Sequence, residues 1–124
     1  AVHYYIRVSF QGSALSQLSP DAQLKVLREY HQQNLPGEEI QDIYYDRAVS
    51  AWKVPLRKRE HGARLVHSVK PGDHVLFYSI DRGFRNLGDW HATMSDWRKA
   101  GINSHFIYDN INMSTAYGRA HAAY

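Results

Sequence analysis

What most constrains this chain is a repeated change of hydrophobic period. Four short runs rich in aromatic and β-branched residues, at 3–9, 40–45, 74–79 and 102–108, are separated by stretches with apolar residues at helical spacing. The first run, Tyr4-Tyr5-Ile6-Arg7-Val8 within it, reads as a buried strand. Ser19, Pro20 and Asp21 then supply an N-cap, a first-turn proline and a first-turn acid, and Gln23, Val26, Leu27 and Tyr30 mark one helical face. Pro36-Gly37 closes that unit. A second helix is expected over about 60–69, ended by Pro71-Gly72. A third carries Leu87, Trp90, Met94 and Trp97, with Gly101 where a C-terminal cap belongs. Residues 46–59 lack a clean period and read as a long functional loop, and 115–124 as the start of a further helix. Strands alternating with helices predict a three-layer α/β fold, with a mainly parallel sheet of four to five strands flanked by helices.

Composition narrows the function classes. A chain of 124 residues suits one domain with one core. No apolar run is long enough for a membrane span, so no membrane partner is expected. The absence of cysteine excludes a disulfide framework and thiolate-bound metal, and fits a cytoplasmic setting. A net charge of +3 permits a nucleic-acid partner without arguing for one. Eight histidines are present, but none are spaced like zinc ligands, and no phosphate-binding glycine loop or dinucleotide fingerprint occurs. Neither metal nor cofactor is expected.

In open α/β sheets, ligands bind beyond the carboxyl ends of the strands. Ser9 ends the first strand, Asp46 follows the second, and Asp81, Arg82 and Arg85 follow the third. A serine among arginines, with no histidine beside it, does not suit acyl transfer, which needs a base for the hydroxyl proton. Guanidinium groups stay protonated and are poor bases. They bind phosphate through forked hydrogen bonds and neutralise charge in phosphoryl transfer. Arg7, Arg59, Arg82 and Arg85 are therefore candidate phosphate ligands around a Ser9 nucleophile. Asp81 is a candidate arginine anchor or general acid. Arg57 and Lys58 read as ordinary loop charge, and Trp90, Met94 and Trp97 as core packing.

These residues fall in an ordered set. Tyr5-Ile6-Arg7-Val8-Ser9, the segment from Leu18 to Gln23, Asp46 to Ser50 followed by Arg59, and Gly72-Asp73 followed by Asp81-Arg82-Gly83-Phe84-Arg85 occur in that order. The set resembles the catalytic domain of serine site-specific recombinases of the resolvase/invertase type. Ala51 and Gly83 stand where that family usually has glycine and leucine. The resemblance implies that Ser9 displaces a DNA 3′-hydroxyl to leave a 5′-phosphoserine. It implies that Arg7, Arg59, Arg82 and Arg85 cradle the phosphate, and that Asp81 assists. Gln23, Asp46 and Ser50 become secondary active-site residues. It further implies double-stranded DNA as partner, a homodimer or tetramer of the full-length protein, no small-molecule substrate, and a long dimerisation helix and DNA-binding domain beyond residue 124. Two other readings fit the same strand edge. One is a non-catalytic module binding an anion or nucleotide; the other is a hydrolase of small phosphate esters.

Overall fold

Strand β1 (Val2–Val8) is buried on both faces along nearly its whole length, as its run of aromatic and branched residues requires. It lies inside a five-stranded sheet of order β2-β1-β3-β4-β5, formed with β2 (Ile40–Arg47), β3 (His74–Phe77), β4 (Asn103–Phe106) and β5 (Ile111–Asn112). The first four strands pair in parallel, and β5 pairs antiparallel to β4. The computed structural model describes residues 1–8, 19–47, 54–84 and 86–113.

Helix α1 (Pro20–Asn34) covers one side of the sheet. Its N-cap Ser19 accepts a hydrogen bond from the Ala22 amide at 3.1 Å, the start that its sequence signals. Leu24, Leu27 and Tyr30 pack against Val2, Tyr4, Ile6 and Leu76. Helices α2 (Glu60–Ser68) and α4 (Leu87–Ala100) contribute to the core on the other side. There Leu65, Trp90, Met94 and Trp97 join Tyr5, Val75, Phe77 and Phe106 in the larger cluster. Burying each such large apolar side chain stabilises the fold by roughly 1.5–3 kcal/mol. Gly101 caps α4 at φ 77°, a left-handed geometry that favours glycine. The three-layer α/β architecture is the one the alternating periods predict.

Several boundaries differ from the sequence expectation. β2 runs on to Arg47, so Asp46 is a strand residue, in register with Arg7 of β1. Of the expected loop at 46–59, the later part holds a 3-10 turn at Leu56–Lys58, and residues 48–53 lie outside the described residues. β3 stops at Phe77, and a four-residue helical turn, α3 (Ile80–Gly83), follows it. This turn packs so closely on β3 that a Cβ on Gly83 would sit 2.7 Å from the Phe77 ring. The Ile111–Asn112 strand has only two residues, too few to leave a periodic signal. The expected helix at 115–124 lies outside the described residues. Among the described residues no helix is long and apolar enough to cross a membrane.

Chain order places the switch point of the sheet beside β1. The chain leaves β1 for β2 on one side and later returns to β3 on the other. The crevice beyond the carboxyl ends of β1 and β3 is where this topology opens a ligand site.

Candidate active site

Arg7 projects from the end of β1 and is only 6% exposed. Its Nε donates to the Arg82 carbonyl at 3.0 Å, and its Nη2 donates to the Asp81 carbonyl at 3.1 Å. The α3 turn thus holds the guanidinium by backbone oxygen. Gln23, fully buried on α1, donates from Nε2 to the Arg7 carbonyl at 3.2 Å and secures the strand end from the other layer.

Arg59 arrives from the start of α2 and is 1% exposed. Its Nε donates to the Val54 carbonyl at 2.9 Å, and its Nη1 donates to the Tyr5 hydroxyl at 2.9 Å and to the Arg82 carbonyl at 3.3 Å. Arg7 and Arg59 therefore share one acceptor. Arg59 Nη2 and Arg82 Nε are buried and have no hydrogen-bond partner among the described residues. An unmatched buried N–H costs about 1–3 kcal/mol, more when charged, so each of the two favours an arriving anion.

Three guanidiniums so gathered repel one another. The Arg7 pKa is pushed down to about 10, first by burial and then by the charges of Arg59 and Arg82. At neutral pH Arg7 still carries its charge, because about three pH units separate the two values.

Asp46, which the resemblance makes a secondary active-site residue, is held in a network of hydrogen bonds behind the arginines. It is 2% exposed, and its Oδ1 accepts from the His61 amide at 3.0 Å. Its Oδ2 accepts from the Gly62 amide at 2.9 Å and from the Tyr5 hydroxyl at 2.8 Å. The carboxylate caps the first turn of α2, whose N-cap residue is Arg59. Tyr5 links it to the arginine, donating to Asp46 while accepting from Arg59. Burial pushes the Tyr5 hydroxyl pKa above its usual value, so the phenol stays protonated. Gly62 is required here, since a Cβ would lie 2.1 Å from the Leu56 carbonyl oxygen.

Asp81 is exposed, and its carboxylate accepts from the Ser79 hydroxyl. It anchors Arg7 through its carbonyl, and the charge of its side chain favours the Arg7 guanidinium. The structure thus brings together Arg7, Arg59, Arg82, Asp81, Gln23 and, behind Tyr5, Asp46. Ser9, Ser50 and Arg85 lie outside the described residues. Tyr5 was absent from the sequence-derived set. Its signal was available, because it stands two residues before Arg7 and shares its strand face. Among the described residues no group of three or more histidines or carboxylates is placed to hold a metal ion.

The chain matches the family described as "Resolvase, N terminal domain" over residues 2–123. It is similar to the solved N-terminal catalytic domain of TP901-1 integrase, at 29% identity and a TM-score of 0.83, covering 98% of this chain and 88% of that one. A resolvase family site-specific recombinase from Streptococcus pneumoniae shares the fold, at 22% identity and a TM-score of 0.72, covering 98% and 82% of the respective chains. No curated protein matches the chain.

Proposed function

Since the chain belongs to the resolvase N-terminal domain family, whose work is site-specific recombination, we propose that it cuts and rejoins DNA with Ser9 as nucleophile. The Ser9 hydroxyl oxygen attacks the scissile phosphorus, and the bond to O3′ breaks. The Ser9 proton is released to water, and Asp81, taking up a proton from water, delivers it to the departing O3′, which leaves as a hydroxyl with no net proton consumed. The product is a 5′-phosphoserine ester. Attack by the 3′-hydroxyl of another strand reverses the step, frees Ser9 and conserves the phosphodiester. No bond energy is lost to water, so neither ATP nor any other cofactor enters the balance.

Arg7, Arg59, Arg82 and Arg85 hold the phosphate and offset the charge that builds on its oxygens. In other phosphoryl-transfer enzymes one such arginine contributes on the order of 10³–10⁵ in rate. Gln23 fixes the strand that leads into the nucleophile, and Ser50 is a secondary contributor. The partner is double-stranded DNA in the cytoplasm, engaged by a homodimer or tetramer of the full-length protein. The observation that carries this reading is two buried guanidinium N–H groups, on Arg59 and Arg82, unmatched among the described residues, beside the switch point of the sheet.

The test uses the full-length protein that carries this domain and duplex DNA bearing its recombination site. Cleavage intermediates are trapped and examined for protein joined to the DNA 5′ end. Adduct in the wild type and none with Ser9→Ala is the expected result. An adduct surviving in Ser9→Ala would move the nucleophile elsewhere. No adduct despite DNA binding would favour a non-catalytic anion-binding module.

A further inference from the structure

The α3 turn supplies the carbonyls that hold Arg7 and Arg59, so whatever fixes that turn also fixes the arginines. Inside the turn, the Arg82 amide donates to the Ser79 carbonyl at 3.2 Å and the Phe84 amide to the Ile80 carbonyl at 2.9 Å. These bonds shape the turn without fastening it to the sheet. Gly83 packs against the Phe77 ring, and a further tie comes from beyond β4. There the Ile107 amide donates to the Phe77 carbonyl at 3.1 Å, and the Tyr108 amide to the Tyr78 carbonyl at 2.7 Å. The chain then bends at Asn110, where φ is 55°. At this bend the half-buried Asp109 accepts from the Ile80 amide, Oδ2 to N, at 2.7 Å.

We propose that Asp109 is a positioning residue for the phosphate site: its carboxylate holds Ile80, and through the α3 turn it aims Arg7 and Arg59. The chain of contacts is continuous. Asp109 binds the Ile80 amide, and the turn offers the Asp81 and Arg82 carbonyls to Arg7 and the Arg82 carbonyl also to Arg59. Asp109 itself meets no reacting atom. Burial raises its pKa, the nearby Asp81 adds to that rise, and the Ile80 hydrogen bond opposes it. Among the described residues Asp109 lies in no ion pair, and it accepts the amide that opens the turn. The inference rests on the phosphate-site reading above for its consequence, though not for its geometry.

The experiment compares wild type, Asp109→Asn and Asp109→Ala in this 124-residue chain. NMR follows the Arg7 Nε–H resonance and titrates inorganic phosphate against the arginine signals, while thermal melts report folding. Asparagine keeps an oxygen that can accept from Ile80; alanine removes it. Asp109→Ala should shift the Arg7 Nε–H signal and weaken phosphate binding about fivefold, the effect of losing roughly one hydrogen bond's worth of alignment. Asp109→Asn should restore both. A merely structural cap would lower the melting temperature of Asp109→Ala yet leave the Arg7 signal and phosphate affinity unmoved, and that result overturns the proposal. If Asp109→Ala does not fold, Asp109→Glu, which displaces the acceptor by one methylene, is judged by the same criteria. If the wild type binds no phosphate, the phosphate-site reading fails separately. The Arg7 signal then decides alone: moved by the variant it supports positioning, unmoved it overturns it.

Discussion

The two ends of the same sheet treat positive charge in opposite ways. At the amino ends of the strands, cationic groups are matched or kept neutral. The N-terminal ammonium lies 3.0 Å from Asp73 and 3.5 Å from Glu38, and His3 Nε2 lies 2.8 Å from the second Asp73 oxygen. His105 and His74 share a ring-nitrogen contact of 2.9 Å, and Tyr30 closes the other side of His105 at 2.8 Å. At the carboxyl ends Arg7 and Arg59 converge on the carbonyls of Asp81 and Arg82, and the buried carboxylate nearby, Asp46, is taken up by two amides and a phenol. One end is a closed structural network. The other gathers three guanidiniums, two of them with a buried N–H unmatched among the described residues, as the proposed phosphate site requires.

The comparison breaks most readily at Arg82. Half-buried and with its Nε unmatched among the described residues, this side chain supplies charge to the proposed site, while its carbonyl accepts from Arg7 and Arg59. Arg82→Ala should lower strand cleavage by about 10³, the lower end of what one arginine supplies to phosphoryl transfer, with the melting temperature nearly unchanged. Asp46 should behave the other way. Asp46→Ala strips acceptors from two backbone amides and from Tyr5, and should cost about 2–4 kcal/mol in denaturant unfolding. A variant that lost activity while keeping its stability would place Asp46 in the chemistry, as the resemblance implies.

Acid should test the amino end. The His105 pKa is pushed down to about 3, by burial first and then by the charge of His74. Between its unfolded value near 6.5 and that folded value, the unfolded chain binds a proton that the native ring refuses. The contribution is fully present above about pH 6.5 and is lost as pH falls toward 3. Native stability at pH 5 should be about 2 kcal/mol below that at pH 7 from this ring alone. His105→Gln, which keeps hydrogen-bonding capacity without titration, should flatten the pH dependence of the unfolding midpoint. An unchanged slope would assign the acid sensitivity elsewhere. The smallest effect belongs to Arg57, which is 60% exposed and 3.8 Å from Asp89. Arg57→Ala should change stability by less than about 0.5 kcal/mol and leave phosphate affinity within about twofold, as surface pairs do.

Much of this was readable before any coordinates. Ser19 and Gly101 announce helix ends because capping is local chemistry, decided by one side chain and its neighbours within a turn. Trp90, Met94 and Trp97 announce a buried stripe because helical period is local too, and all three are buried. Leu87 is the exception: it fits the same period but is 59% exposed, since it opens the helix ahead of the face that meets the sheet. The strand runs were legible in kind and less so in extent. β3 yields to a helical turn at a position where Tyr78 and Ser79 still look like strand residues.

What the amino-acid order determined by itself was the alternation of elements, and hence a parallel sheet with Arg7, Asp46, Asp81 and Arg82 at or just beyond strand ends. Which of these charges are gathered together and which are taken up by backbone amides was decided only by the tertiary structure. Tyr5 and Asp46 are 41 residues apart in sequence, and Arg7 and Arg82 are 75 apart. Their contacts exist because β1 is sandwiched between β2 and β3. A hydrogen bond selects its partner by distance and direction, and across such separations the packed sheet alone sets both.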